Sequence, residues 1–324
     1  MSAMRLTRRA AALLPFAPLA MPAFAQAWSP TAPVRVIIPF PPGGTMDPIV
    51  RLSQSFLQQE LGQPVVIDYR PGGATVVGTT ELQRAPADGH TMLMIANSFA
   101  ANITLRPNTP YNGLRDFAPI MMCTVVPHVL AVHPSVARDF AGFLEAGRRP
   151  GPGLSFGSYG IGTSNHLGGE QFRELARLNA IHVPYTGTSQ SMTDLIGGRI
   201  QFMFTNLPDM IQPVQLGQLR AVAISNETRV RELPETPTMA ELGFPLVLSD
   251  SWFGLITRAE VPAPARARLE AVWAAALARP EIRGRLEEQA FTVLARPSAQ
   301  FAAEIRRYAE VYAQVIRANN ISVN

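Results

Sequence analysis

Val34-Arg35-Val36-Ile37-Ile38-Pro39-Phe40-Pro41-Pro42-Gly43-Gly44-Thr45-Met46-Asp47 is a strand that runs straight into a turn. Val34 to Pro39 is apolar and rich in β-branched residues, which suit a pleated, buried surface. The prolines and glycines from Pro41 to Gly44 then break the strand. From Pro48 to Leu61 apolar residues return at Ile49, Leu52, Phe56 and Leu57 with helical spacing, and Gly62 stops the helix. The same unit starts again at once, with a strand over Val65 to Tyr69 and a helix through Val76, Val77, Leu82 and Ala85.

Outward from this pair, short apolar runs predict further strands at 91–95, 129–132, 154–157, 180–184, 200–204, 219–224 and 252–257, with an interior strand around Cys123. Strands alternating with helices of roughly 10 to 15 residues give an α/β fold with mainly parallel sheets. At the carboxyl end Pro264 suits a helical first turn, and Phe301, Ile305, Tyr308, Tyr312 and Val315 form one apolar stripe behind a Ser298 cap. A chain of this length exceeds one comfortable core, and with no repeat or Gly/Ser linker it reads as two lobes rather than a string of beads.

The amino terminus predicts the compartment. Arg5, Arg8 and Arg9 precede a proline-broken apolar run from Ala10 to Ala23, and small residues follow at Ala23, Ala25 and Ala27. The run is short of the roughly 20 residues of a membrane span. It reads as a cleavable export signal over residues 1–27, removed after Ala25 or Ala27, which places the mature chain in the periplasm. The formal charge of +4 includes those three arginines and drops to +1 without them. There is no lysine and no basic stripe with interleaved aromatics, so nucleic acid is not the expected partner. The single cysteine, Cys123, cannot pair within the chain and reads as a buried core residue. His90, His128, His133, His166 and His182 lack paired ligand spacing, so no metal is expected.

The candidate chemistry lies in the strand-to-helix turns. Residues 41–47, 70–75, 97–98, 158–165 and 186–189 combine glycine, hydroxyl or amide side chains just before a helix begins. Glycine admits close backbone approach, and a helix start offers unpaired N–H groups at the positive end of its dipole. Turns of this kind at the carboxyl ends of strands make a pocket suited to an anion. Asp47 is expected to cap the helix that starts at Pro48. Enzyme readings fare worse. Gly153-Leu154-Ser155-Phe156-Gly157 matches G-x-S-x-G, but Ser155 falls inside a strand rather than on the required elbow. Gly160 and Gly162 open a dinucleotide-like pattern in which Asn165 replaces the third glycine. No cofactor is expected.

The opening stretch with Arg51 after it resembles the signature of the Bug family, the substrate-binding receptors of tripartite tricarboxylate transporters. The resemblance continues through Asn112-Gly113-Leu114-Arg115-Asp116-Phe117-Ala118-Pro119-Ile120, His182-Val183-Pro184-Tyr185-Thr186-Gly187, Leu195-Ile196-Gly197-Gly198 and Ser251-Trp252-Phe253-Gly254-Leu255. It implies a type II periplasmic binding protein fold, two α/β lobes joined by two crossing segments, divided as 28–127 with 250–324 and 128–249. It also implies a small carboxylate ligand held by backbone amides, hydroxyls and waters, and delivery to membrane permease subunits by a monomer. A sensor kinase is the alternative partner, and a secreted hydrolase a remote one.

The site residues implied are Phe40, Gly43, Gly44, Thr45, Asp47, Thr75, Asn97 and Ser98 in the first lobe. In the second they are Ser158, Gly162, Thr163, Ser164, His166, Tyr185, Thr186 and Gly187, with Thr205 and Asn206 at the end of a strand. Two departures bear on the ligand. Gly73-Ala74-Thr75 stands where the family keeps its loop open with glycine, which puts ligand approach there in doubt. Thr205 stands where many members carry aspartate, which points toward a plain organic or aromatic acid.

Overall fold

The computed structural model describes residues 28–247 and 249–323; the proposed export signal lies outside them. The first strand and helix form as the sequence directs, β1 (Val34–Ile38) and α1 (Asp47–Leu61), and Gly62 closes the helix in the left-handed conformation. They are followed by β2 (Val65–Tyr69), α2 (Val76–Arg84), β3 (Thr91–Ala96) and α3 (Asn97–Leu105). β1 pairs in parallel with both β2 and β3, so the carboxyl ends of these strands point the same way.

The chain then enters β4 (Phe117–Val132), a 16-residue strand. Beyond it lie α4 (Phe140–Arg148), β5 (Leu154–Ser158), α5 (Ser164–Leu175), β6 (Ala180–Pro184), α6 (Thr188–Ile196), β7 (Phe202–Asn206), α7 (Leu207–Gln215) and β8 (Arg220–Ser225). The return is β9 (Asp250–Arg258), and the chain ends with α8 (Ala263–Ala278), α9 (Pro280–Glu288), β10 (Thr292–Pro297) and α10 (Ser298–Ala318). β4 belongs to two sheets. Residues up to Pro127 pair with β9, and from His128 onward they pair with β7 and β8. The strand order is β2-β1-β3-β9-β4-β7-β5-β6, with β8 and β10 also on β4.

Each sheet is covered on both faces. Around β1, β3 and β9, one face packs against α1, α8 and α9, and the other against α2, α3 and α10. In the second half, α4 and α5 cover one face, and α6 and α7 the other. Two-sided burial explains why these strands read as continuous apolar runs rather than as alternating patterns.

Three expectations are corrected. The sheets are mixed, because β4 and β9 cross between the halves and pair antiparallel with their neighbours. β4 is one strand rather than two: its register shifts next to Pro119, and Pro127 falls where the strand changes partners, so neither missing N–H breaks the ladder. Ser298 starts α10 without a capping hydrogen bond from its side chain, and β10 was not anticipated.

Candidate ligand-binding site

The turns at the carboxyl ends of β1, β3, β5, β6 and β7 meet at one cavity, of about 40 Å³ measured to the centres of water-sized spheres. It is lined by Phe40, Gly44, Thr45, Asp47, Ser98, Thr163, Ser164 and Asn206, all anticipated, together with Ile38, Pro41, Met46, Ala96, Tyr159, Thr188, Ser251 and Phe253. Five helices, α1, α3, α5, α6 and α7, begin at its wall, and none carries a side-chain cap. The helices α2, α8, α9 and α10 are uncapped as well, and α4 alone among the described helices is capped, by Asp139, so what sets the five apart is that their starts converge on the cavity. Uncapped helix starts leave first-turn N–H groups without partners, and each start carries roughly half a positive charge. The cavity wall has no arginine, so the positive partial charge it offers a ligand comes from backbone N–H groups. Ser98 Oγ is buried on the same wall and has no hydrogen-bond partner among the described residues.

The other hydroxyls are engaged. Thr45 Oγ1 donates to Asp209 Oδ2 at 3.0 Å and accepts from Asn206 Nδ2 at 2.6 Å, two bonds that join the β1–α1 turn to the β7–α7 turn. Tyr159 OH donates to Asp209 Oδ2 at 2.9 Å and bonds Thr205 Oγ1 at 2.5 Å. Thr163 Oγ1 lies 2.6 Å from both Gly160 O and Asn165 Oδ1. Burial, with no basic side chain to offset it, pushes the Asp209 pKa up to about 6.

Asp47 is not a cap. Its Oδ2 accepts from Gly43 N–H at 2.6 Å, its Oδ1 accepts from Tyr69 OH at 2.8 Å, and Arg51 stands 3.6 Å away. It therefore holds the turn in shape from within, and Gly43, with φ of 79°, supplies the left-handed bend.

Several anticipated residues lie outside the cavity lining. Thr75 is fully buried at a φ of 83°, where Asn102 bonds its carbonyl neighbour Ala74, and the turn at 70–75 contributes no residue to the wall. Asn97 turns inward to Asp250, Tyr312 and Trp252 N–H. Ser158 pairs with His182, and Gly162 N–H donates to His166 Nδ1. Tyr185 OH donates to Asp194, Thr186 does not line the wall, and Thr205 stands behind Tyr159. Gly187 serves by absence, since a Cβ there would sit 2.9 Å from Pro41 Cδ across the cleft.

His128 occupies the crossing. Its Nδ1 is 2.7 Å from Ser249 Oγ and its Nε2 is 2.9 Å from Ser251 Oγ, which in turn lies 3.1 Å from Ser164 Oγ. Burial drives its pKa down to about 3, so the ring is neutral. His166, Glu170 and His182 also cluster, within 4.8 Å of one another. The Gly162 N–H held by His166 Nδ1 puts the ring proton on Nε2, the atom that faces Glu170 at 3.9 Å. That ring therefore has no free lone pair for a cation.

Of the lining residues not anticipated, Thr188, Tyr159, Ser251 and Phe253 fall inside motifs that were singled out. Asp209, which stands behind the lining, had no such signal, lying in the first turn of a helix after an unremarkable Leu-Pro pair.

Two α/β lobes that share a strand, with helix starts gathered around one cavity, define the periplasmic binding protein fold, a class of solute receptors rather than enzymes. Residues 49–321 match the family model described as the tripartite tricarboxylate transporter family receptor, and the chain belongs to that family. Protein BugT of Bordetella pertussis is 37% identical over 232 residues, 70% of this chain and 71% of that one. Among solved structures, an R. palustris protein with adipate superposes with a TM-score of 0.86 at 26% identity, covering 90% of this chain and 99% of its own. MatC from Rhodopseudomonas palustris, with bound malate, gives 0.83 at 25% identity over 89% of this chain and 99% of its own.

Proposed function

We propose that this protein is a periplasmic receptor that captures a small carboxylate by lobe closure and delivers it to membrane permease subunits of a tripartite tricarboxylate-type transporter. Export by the amino-terminal signal puts it in that compartment. The observation that carries the reading is the convergence of five uncapped helix starts on a cavity without a basic side chain. Such a wall recognises a carboxylate through backbone N–H groups, and the unpaired Ser98 hydroxyl adds a donor. The cavity suits an acid of a few carbons, in keeping with the malate and adipate held by the two structural relatives.

One lobe comprises residues 28–127 and 250–324, the other residues 128–249. They hinge where Pro127–His128 and Ser249–Asp250 run side by side. Ligand shifts the molecule toward the closed form because only that form surrounds it. Charge-assisted hydrogen bonds of about 1.5 to 3 kcal/mol each make micromolar or tighter binding attainable.

The test is a thermal-shift screen of the mature chain, unfolded and refolded to strip carried-over ligand, against malate, adipate and a wider set of small carboxylates. Ligand at 100 times its dissociation constant adds about 2.7 kcal/mol of apparent stability, a shift of a few degrees. Stabilisation by a neutral or cationic solute and by no carboxylate would overturn the proposal.

A further inference from the structure

Asp209 stands directly behind the cavity and takes up the protons of two of its wall residues. Thr45 comes from the β1–α1 turn and Tyr159 from the β5–α5 turn, so a single carboxylate oxygen gathers one hydroxyl from each lobe. Among the described residues no basic side chain neutralises it. On the elements packed against α7, the titratable groups are His128 and Cys123 of β4 and Arg220 at the exposed start of β8, and β7 has none. His128 is neutral, the Cys123 thiol is held protonated by burial, and no basic side chain lowers the Asp209 pKa. The second acid at the cavity, Asp47, also accepts two hydrogen bonds, but it has Arg51 beside it, a basic neighbour that Asp209 lacks.

An anionic ligand entering this cavity brings a second negative charge next to Asp209, in a region shielded from water. Like charges so placed cannot both persist without cost, and the group with the weaker hold on ionisation takes a proton. We infer that the site takes up its carboxylate together with one proton, and that Asp209 is the residue that holds it. The inference rests on the carboxylate-receptor reading above. In the protonated form Asp209 keeps both hydroxyl contacts by turning one into its own donation, so the closed geometry survives the change.

The sign of the linkage follows. The Asp209 pKa is already raised from its ordinary value without ligand, and a bound anion raises it again. Between those two values the dissociation constant rises by up to about tenfold per pH unit. Binding is therefore tightest in mildly acid medium and weakens as the pH rises through neutrality.

The experiment is isothermal titration calorimetry with malate and with adipate from about pH 6.5 to 8, where both acids are essentially ionised, in buffers of contrasting ionisation enthalpy. The expected result is net uptake of up to one proton per ligand bound, lost in Asp209→Asn along with the pH dependence of affinity. Ligand binding with no proton uptake, or the same uptake in Asp209→Asn, overturns the inference and leaves the receptor reading intact. If neither acid nor any other carboxylate binds, the receptor reading fails and takes this one with it. A ligand-free measurement stands independently: the stability difference between wild type and Asp209→Asn should shift in favour of wild type as pH falls from 7 to 4.5. Parallel profiles would show that Asp209 holds no proton in that range and would also overturn the inference.

Discussion

Replacing Thr45 with valine keeps the shape of the side chain and deletes the one atom that ties the first lobe to Asp209 and Asn206. Two hydrogen bonds go, at 3.0 and 2.6 Å. Closure would then bury the Asn206 Nδ2 donor and an Asp209 oxygen against a methyl group. The bond to Asp209, whose carboxyl is protonated in the liganded form, is worth about 0.5 to 1.5 kcal/mol, and an unsatisfied buried donor costs about 1 to 3 kcal/mol. Together they should remove about 2 to 4 kcal/mol from the closed state, which corresponds to roughly 30- to 1,000-fold weaker binding. Both bonds join the lobes rather than stabilising either core, so the unliganded protein should melt nearly as wild type does. The assay is calorimetric titration with the best acid of the thermal screen, alongside Thr45→Ser, which retains the hydroxyl and should bind within a few-fold of wild type. A well-folded Thr45→Val protein of full affinity would show that the clasp contributes nothing to capture and would refute the reasoning.

Other outcomes follow from the same geometry. Gly187→Ala places a methyl against Pro41 across the cleft, so it should hinder closure and weaken binding by about 5- to 30-fold, on the order of 1 to 2 kcal/mol, with little change in melting temperature; an unchanged affinity would mean the turns do not meet in the bound form. Gly254→Ala is different in kind, since its Cβ would meet Phe301 and lie 2.6 Å from the backbone oxygen of Met121 inside the core, and chemical denaturation should show a loss of about 1 to 3 kcal/mol or more. His128, His166 and His182 have pKa values lowered by burial to about 3, 3 and 4. Their contribution is complete above the unfolded value of about 6.5 and is lost as pH falls, outweighing the opposite trend of the single Asp209, so urea midpoints should drop from pH 6.5 to 4.5; a flat profile would place these rings in water. Cys123 is fully buried with its thiol pKa pushed up, and a thiol reagent should label it only in denaturant.

Most of the scaffold was legible because two-sided burial writes itself into the sequence as short β-branched runs, and the helices behind them end at Gly62 or begin at a proline such as Pro264. β4 was not legible as one strand, because Pro119 and Pro127 look like breaks until the register shift and the change of partner are seen. The site divides along similar lines. Thr45, Ser98, Thr163, Ser164 and Asn206 announce themselves as polar groups at strand ends beside glycine-rich or helix-start segments, and they line the cavity. The turn at 70–75 carries the same composition yet stays out of it, since composition marks a turn but not the direction it faces. The reading of Thr205 as a missing carboxylate also looked in one place only. Asp209, four residues later in the first turn of α7, sets an acid directly behind the same wall, a placement that depends on how α7 leaves β7 rather than on any local motif.

The shared strand β4 has a bearing on how such receptors could be recombined. Its first part is held in register by β9 and β10, and its last five residues by β7 and β8, so the halves are not modules on a tether. A chimera that imported residues 128–249 from a relative would bring new partners for His128 to Val132 while leaving Met121 to Pro127 with the old ones. A slip of one residue at the junction would turn every following side chain to the opposite face. Exchange of specificity between members of this family is therefore most economically done by grafting the turns, with the long strand left as the common ruler against which both halves are measured.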